Sequence, residues 1–143
     1  MHIAMIADDK KKELLTQFCI AYCGILCKHT LSTTGTTGKY IADDTGLDIE
    51  MLLPGSHGGV QQILSRIAYD EIDMVIYMRD PDEHHSEISK EVTQNLFRLC
   101  DIHSVPLATN IATAEVLING LERGDLAWRE IVNPVLRKKR NDN

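Results

Sequence analysis

Short apolar runs alternate with segments of helical periodicity along most of the chain, and this alternation constrains the fold more than any other feature. Five apolar runs predict strands, over 2–7, 30–33, 49–53, 73–78 and 105–109. Helical spacing of apolar residues predicts helices over 12–26, 39–44, 61–69 and 91–102, with further helices from residue 112. Strands that alternate with helices form parallel sheets. The sequence therefore predicts an α/β fold whose parallel sheet is covered by helices on both faces.

Length and charge limit both the architecture and the partners. The chain has 143 residues, which suits one domain, and we expect that domain over 1–135 with a polar tail over 136–143. The formal net charge of −6 argues against general affinity for nucleic acid or an anionic membrane surface. No apolar run approaches the roughly 20 residues that cross a bilayer, and no targeting segment is evident. These features predict a cytoplasmic location.

The four cysteines, Cys19, Cys23, Cys27 and Cys100, raise the question of a metal site. The first three recur every four residues, so a continuous helix would stack them along one side. A zinc site more often contains a Cys-x-x-Cys pair with other ligands nearby. We therefore interpret the cysteines as small buried core residues with free thiols, which suit a reducing cytoplasm.

The run Thr34-Gly35-Thr36-Thr37-Gly38 follows the second predicted strand and precedes a helix. Glycines let the backbone approach an anion and adopt positive φ, and hydroxyls and N–H groups at a helix start donate hydrogen bonds to phosphate. The run lacks the Gly-Lys-Ser/Thr of a Walker motif and the Gly-x-Gly-x-x-Gly of a Rossmann motif. It predicts a phosphate site, with an ordinary capped turn as the alternative.

Ligands of parallel α/β sheets bind beyond the carboxyl ends of the strands, so the segments after the other strands are the next candidates. Lys12 lies one helical turn beyond Asp8, and both side chains can face one cleft; a capping aspartate before a solvated basic turn is the alternative. Glycines in 54–62 indicate either close backbone approach to a ligand or a plain turn. Two adjacent histidines in 79–87 fit a surface loop better than a metal site.

These motifs also follow one another in a specific order. The pieces are His2-Ile3-Ala4 through Ala7, Asp9, Lys12, Thr34-Gly35-Thr36-Thr37-Gly38, Thr45-Gly46, Gly58-Gly59, Gln61-Gln62, Asp80-Pro81, Arg98-Leu99-Cys100-Asp101, Pro106-Leu107-Ala108-Thr109-Asn110 and Thr113-Ala114. In order and spacing they resemble the methylglyoxal synthase family along nearly the whole chain. The resemblance implies a three-layer α/β/α sandwich with a five-stranded parallel sheet, assembled as a homohexamer.

The resemblance also implies an activity and a set of site residues. Family enzymes convert dihydroxyacetone phosphate to methylglyoxal and inorganic phosphate without a metal or organic cofactor, and inorganic phosphate often inhibits them. A carboxylate abstracts a carbon-bound proton, polar groups stabilise the enediolate, and phosphate leaves. By position, Asp9 matches an acidic residue at the cleft. The implied phosphate cradle consists of Lys12, Thr34, Gly35, Thr36, Thr37 and Gly55.

The chain departs from the family pattern at three positions that contact the substrate or take part in catalysis. Asp8 stands where the family has a histidine that contacts the substrate. Pro54 stands where a serine hydroxyl binds phosphate. Val60 stands where the family has the aspartate expected as the catalytic base, and valine cannot accept a proton.

The loop after Asp80-Pro81 is longer than in the family pattern. The family has a histidine and, three residues later, an aspartate in this loop. Glu91 is the best match for that aspartate, and the histidine position is taken by His84, His85 or Glu87. We therefore take His85 and Glu91, together with Asp9, as the candidates for catalytic groups.

Two functions remain open after these departures. The first is a protein that binds phosphate or a small phosphorylated ligand as a sensor or interaction module, with synthase activity weak or lost. The second is an active carbon–oxygen lyase with a substitute base, for which Asp8, Asp9 and Glu91 are the carboxylates in reach. Loss of a general base typically lowers a rate by about 10²–10⁴. Asp8 beside Asp9 can form an acid–base pair because neighbouring carboxylates raise one pKa. A purely structural oligomer would leave the phosphate cradle unexplained.

Overall fold

A computed structural model describes residues 1–35, 37–82 and 88–132, which fold into five strands and seven α-helices. The strands are β1 His2–Ala7, β2 Thr30–Thr34, β3 Ile49–Leu52, β4 Met74–Met78 and β5 Leu107–Ala108. The helices are α1 Lys12–Ala21, α2 Cys23–Leu26, α3 Thr37–Thr45, α4 Gly59–Ala68, α5 Lys90–Ile102, α6 Ile111–Arg123 and α7 Trp128–Val132. Short 3₁₀ turns cover Asp9–Lys11 and Gly55–His57.

The sheet is parallel throughout and runs in the order β3-β2-β1-β4-β5. The chain builds outward from β1 to β2 and β3, then crosses to the other side of β1 for β4 and β5. The order of the sheet therefore reverses between β1 and β4, and ligands of such sheets commonly bind beyond the carboxyl ends of the strands near this point. The predicted five-stranded parallel sheet with helices on both faces is confirmed.

Both faces of the sheet are buried, because alternate residues of β1 enter different cores. Ile3 and Met5 pack into a cluster on one face with residues of α1, α3 and α6. Ala4 and Ile6 pack into a cluster on the other face with residues of α4 and α5. Side chains of a strand alternate between faces, so a strand apolar at every position is covered by helices on both sides.

The predicted helix over 12–26 is two helices, and the cysteines do not form one stripe. α1 ends at Ala21 and α2 begins at Cys23, with Tyr22 between them at φ −108° and ψ 20°. The break changes the helical rotation, so Cys19 is buried while Cys27 is exposed. Burial raises the pKa of the Cys19 thiol to about 12. The prediction that the cysteines are buried is therefore wrong for Cys27.

The last strand is shorter than the predicted segment 105–109. Proline has no N–H to donate to a neighbouring strand, so Pro106 contributes only its carbonyl oxygen, which accepts from Val75 N at 3.0 Å. Regular pairing with β4 is limited to Leu107 and Ala108. The strand nevertheless completes the sheet at its outer edge.

A buried ion pair anchors α7 to the amino-terminal edge of the sheet. Arg129 Nε donates to Asp73 Oδ1 at 3.2 Å, and His2 N donates to Asp73 Oδ2 at 2.8 Å. Arg129 Nη1 donates to the carbonyl oxygens of His103 and Ser104, and Nη2 donates to that of Ile72. A buried charge requires pairing and hydrogen bonds of this kind, and nothing in the local sequence around Asp73 or Arg129 predicted the pair.

We predict that Gly59→Ala destabilises the protein by about 1–3 kcal/mol, the usual range for overpacking. A Cβ at Gly59 would overlap the Leu53 carbonyl oxygen, which belongs to the backbone and cannot rotate away. Urea unfolding measures the change in free energy.

Gly24→Ala provides the matched control, since a Cβ at Gly24 in α2 has no neighbour within 4 Å. Alanine is the better helix former by about 1 kcal/mol, so this variant should be unchanged or slightly more stable. Equal destabilisation of the two variants would contradict the close approach of α4 to the end of β3.

Candidate active site

A small cavity of about 120 Å³ lies at the carboxyl ends of β1 and β2, beside the segment after β3. Its lining residues are Ala7, Lys12, Thr34, Gly35, Thr37, Pro54, Gly55 and Ser56. Five of them, all but Ala7, Pro54 and Ser56, belong to the predicted phosphate cradle. The sixth predicted member, Thr36, lies outside the described residues. A wider groove of about 570 Å³ occurs where β2 and β3 begin, and it contains none of the predicted site residues.

The turn after β2 requires glycine at its tightest point. Gly35 has φ +59°, in the left-handed region, and its N–H donates to Leu53 O at 3.2 Å. A Cβ at Gly35 would lie 3.3 Å from Pro54 Cα. The ends of β2 and β3 therefore meet through backbone atoms, and α3 begins immediately afterwards at Thr37. The side chains of Thr34 and Thr37 are buried beside this junction.

Lys12 provides a positive charge at the cavity. It is the first residue of α1, and its side chain is 34% exposed. Its ammonium group lies 2.9 Å from Asp9 Oδ1, three residues earlier in the chain. Asp9, one of the three catalytic candidates, is therefore placed beside Lys12 and close to the cavity.

The 3₁₀ turn after β3 forms another wall of the cavity. Pro54 O accepts hydrogen bonds from His57 N at 2.8 Å and from Gly59 N at 3.0 Å, which fixes the turn ahead of α4. Gly55 lines the cavity, as the prediction requires. Ser56 lines it too and provides a hydroxyl two residues after the position where the family pattern has its serine. The serine is visible in the segment Pro54-Gly55-Ser56, but the comparison with the family pattern pointed to position 54 alone.

Asp8 follows β1 and forms hydrogen bonds with β4 and with the segment directly after it. Its carboxylate accepts from Tyr77 Oη at 2.8 Å and from Asp80 N at 2.7 Å, and its own N–H donates to Met78 O at 3.1 Å. The side chain is buried, 3% exposed, and is not part of the cavity wall. Donors on β4 and directly after it hold this carboxylate, and a shared cleft for Asp8 and Lys12 stays a prediction.

The other predicted chemical groups occupy different surroundings. Val60 is 1% exposed and packs in the apolar cluster beneath α4, with Ile63 among its members. Glu91 is exposed in the first turn of α5 and is not among the cavity residues. His85 lies outside the described residues. Within the described ranges, no group of three or more His, Cys, Asp or Glu side chains could hold a metal ion.

Comparison with known proteins gives the family. The model of the MGS-like domain matches residues 18–109. A methylglyoxal synthase of Caldicellulosiruptor saccharolyticus is 59% identical over 145 residues, covering 99% of this chain and 99% of that protein. The chain belongs to the methylglyoxal synthase family.

Further relatives agree with this assignment. A methylglyoxal synthase of Thermoanaerobacter sp. is 53% identical over 134 residues, covering 92% of this chain and 98% of the relative. The crystal structure of methylglyoxal synthase from Elizabethkingia anophelis superposes with a TM-score of 0.74 at 39% identity, covering 82% of this chain and 76% of that one. The resemblance found in the motifs is therefore confirmed at the level of the family.

We predict that Asp8→Ala destabilises the protein by about 1–3 kcal/mol, because the buried Tyr77 hydroxyl and Asp80 N–H would both lose their acceptor. Asp9→Ala is the matched control: the neighbouring carboxylate is 53% exposed, and surface ion pairs contribute about 0–1 kcal/mol. Urea unfolding at pH 7 compares the two variants. Similar losses for both would contradict a structural role for Asp8.

Proposed function

We propose that the chain binds inorganic phosphate, or a small phosphorylated molecule such as dihydroxyacetone phosphate, in the cavity between the strand ends. The observation that carries this proposal is the convergence of Lys12, Thr34, Gly35, Thr37 and Gly55 around one small space. These residues come from separate segments of the chain. An ordinary capped turn, the alternative for the threonine-rich run, would not require an ammonium group and a second glycine turn at the same place.

The cavity offers the donors that a phosphate dianion needs. The amino-terminal end of α3 contributes backbone N–H groups and a partial positive charge. Thr34, Thr37 and Ser56 contribute hydroxyls, and Lys12 contributes a full positive charge. Ser56 can replace the hydroxyl that is absent at Pro54. Thr36 follows Gly35 in the sequence and remains a predicted ligand.

We further propose that the synthase activity of this chain is weak or lost. The family base position holds Val60, whose side chain is apolar and buried. Asp8, the carboxylate at the family histidine position, accepts hydrogen bonds from the Tyr77 hydroxyl and the Asp80 N–H. Proton abstraction would then depend on Asp9, Glu91 or His85. Loss of a positioned base costs about 10²–10⁴ in rate.

An active carbon–oxygen lyase is the second candidate function. The names of the relatives favour it, since several proteins that are 49–59% identical to this chain are named methylglyoxal synthase. In this case a substitute carboxylate, with Asp9 beside Lys12 as the best placed, takes the carbon-bound proton of dihydroxyacetone phosphate. The enediolate then expels phosphate as the C–O bond breaks, and neither a metal nor an organic cofactor takes part.

The assembly, the location and the partners that we propose are based on the family and on the composition of the chain. We propose a homohexamer in the cytoplasm, with a small phosphorylated molecule or inorganic phosphate as the ligand and no nucleic acid or membrane partner. The net charge of −6 supports the absence of general affinity for anionic polymers. Among the described residues, no helix is long and apolar enough to cross a membrane.

Calorimetric titration with inorganic phosphate tests the cradle. We expect Lys12→Ala to weaken phosphate affinity by about tenfold or more, because a hydrogen bond to a charged group is lost. Lys10→Ala is the matched control, since it removes the same charge from an exposed position in the preceding 3₁₀ turn. Equal affinity in both variants would contradict the proposed role of Lys12.

An assay of methylglyoxal and phosphate release from dihydroxyacetone phosphate tests the missing base. We expect the unmodified chain to be slow and Val60→Asp to raise its turnover, with about 10²–10⁴ as the full contribution of a base. Val60→Asn is the matched control, because it is equally polar and similar in shape but cannot accept the proton.

The same assay distinguishes the two candidate functions. A methylglyoxal synthase relative measured in parallel sets the reference rate. Turnover of the unmodified chain at that rate would reject the proposal of weak activity and favour the lyase with a substitute base. Thermal unfolding of both Val60 variants checks that the cost of burying a polar group does not account for the result.

A further inference from the structure

We propose that His57 positions the Ser56 hydroxyl as a donor to the bound phosphate group, and that a proton is taken up together with the anion. This inference rests on the proposed phosphate site and extends it, since it assigns a positioning residue and a pH dependence that the cradle alone would not have. Ser56 touches the ligand, and His57 acts on the ligand only through Ser56.

Ser56 and His57 form a hydrogen-bonded pair at the wall of the cavity. Ser56 Oγ and His57 Nδ1 lie 2.9 Å apart, and Ser56 is one of the residues that line the cavity. Both residues are exposed, so water can deliver a proton to the imidazole ring. Histidine is the side chain whose charge ordinarily changes between about pH 5 and 8. The pair therefore connects a group that can change its charge near neutral pH to a hydroxyl that faces the ligand.

The backbone of the turn after β3 holds both side chains beside the cavity. His57 N donates to Pro54 O at 2.8 Å, and Gly59 N donates to the same oxygen at 3.0 Å. Gly58, which lies between these two donors, has φ +100°, in the left-handed region that favours glycine. The turn is thus fixed by its own backbone, and the pair forms without the ordering of further residues.

The direction of this hydrogen bond decides what Ser56 can offer to an anion. A serine hydroxyl has a single proton, so a hydroxyl that donates to a neutral imidazole presents only lone pairs to the cavity. A phosphate dianion also accepts hydrogen bonds and is repelled by such lone pairs. In the opposite direction His57 Nδ1–H donates to Ser56 Oγ, and the hydroxyl proton is left for the anion. Contact between Ser56 and the anion therefore requires a proton on His57 Nδ1.

Two forms of histidine carry a proton on Nδ1, the neutral Nδ1–H tautomer and the imidazolium. A nearby dianion favours the imidazolium, because opposite charges stabilise each other. A hydrogen bond from a charged donor is also stronger than one from a neutral donor. Binding of the anion is therefore accompanied by protonation of the ring. The contribution of His57 to phosphate affinity is greatest below about pH 6 and falls as the pH rises toward about 8.

The other charged groups at the cavity come from α1 and the turn before it. Within the described part of the chain, Lys12 is the only ionisable residue of the cavity wall, and Asp9 Oδ1 lies 2.9 Å from its ammonium group. α3 contributes Thr37 to the wall, and residues 59–62 at the start of α4 carry no charge. Ammonium groups and carboxylates ordinarily keep their charges between about pH 5 and 8. His57 is therefore the group that we expect to take up the proton.

Calorimetric titration with inorganic phosphate, made in two buffers of different ionisation enthalpy, measures the protons that are taken up on binding. The difference in binding enthalpy between the two buffers gives their number. Phosphate itself titrates near neutral pH, but it contributes equally for every variant. The difference in proton uptake between the unmodified chain and a variant therefore reports on the protein group alone. Titrations at about pH 6, 7 and 8 cover the range in which histidine ordinarily titrates.

Two substitutions and one control are compared. His57→Asn places an amide near the position of Nδ1, where it can donate to Ser56 at any pH but takes up no proton. Ser56→Ala removes the hydroxyl through which His57 acts. His103→Asn is the matched control, because His103 Nδ1 also bonds a side chain, Asp70 Oδ1 at 2.8 Å, and neither residue lines the cavity. Since Ser56 and His57 are exposed, we expect both substitutions to keep the fold, which thermal unfolding checks.

We expect the unmodified chain to take up a larger fraction of a proton than His57→Asn at about pH 7. Its affinity relative to that variant should fall by about three- to tenfold between about pH 6 and 8, as for the loss of one hydrogen bond from a charged group. Ser56→Ala should bind phosphate more weakly at the lower pH and take up as little as His57→Asn. His103→Asn should behave like the unmodified chain. A purely structural role of His57 would not change the proton uptake.

The outcomes separate this inference from the proposed function. Equal proton uptake in the unmodified chain and His57→Asn overturns the role of His57 while phosphate binding stands, and so does an equal loss of uptake in His103→Asn. Uptake that persists in Ser56→Ala overturns the route through Ser56. Failure of the unmodified chain to bind inorganic phosphate overturns the proposed function itself.

Discussion

The pairing of β1 with β4 is the contact on which the rest of the structure depends, because the sheet changes its direction of growth there. At each end of these two paired strands, a buried aspartate accepts a backbone N–H from beside the neighbouring strand. At the amino-terminal edge, Asp73 accepts the N–H of His2 and pairs with Arg129. At the carboxyl edge, Asp8 accepts the N–H of Asp80. Each aspartate thus joins its own strand to the backbone beside the neighbouring strand. A slip of one residue would break both contacts and exchange the two apolar faces.

Local patterns explain why the fold and the glycine-containing turn after β2 could be predicted from the sequence, whereas the contacts of Asp8 and Asp73 could not. Apolar periodicity and the run of threonine and glycine after β2 are visible within a few residues. Asp8 and Tyr77 lie 69 positions apart, and Asp73 and Arg129 lie 56 apart, so no short window contains either pair. The break at Tyr22 was missed for the opposite reason, since the apolar pattern continues through it although the helix does not.

The cavity is shaped mainly by backbone atoms, whereas proton transfer depends on individual side chains. An anion site built from backbone N–H groups persists through many substitutions, as long as the glycines that shape the backbone remain. Gly35 meets the segment after β3 through main-chain atoms, and α4 approaches Leu53 so closely that Gly59 has no space for a side chain. A general base depends on a single side chain. One substitution can therefore remove a proton acceptor and leave the backbone around the proposed phosphate cradle in place.

Val60 and Asp8 stand where the family pattern has the catalytic base and the substrate-contacting histidine, and both residues contribute to the packing and hydrogen bonding of the fold. Val60 joins the apolar cluster beneath α4, where a carboxylate would have to be desolvated. Asp8 provides the acceptor that closes β1 against β4. Active-site groups are commonly kept at a cost in stability, and replacing them often stabilises the fold. Both substitutions follow this direction, since each provides packing or a hydrogen bond at a place where the family pattern has a reactive group.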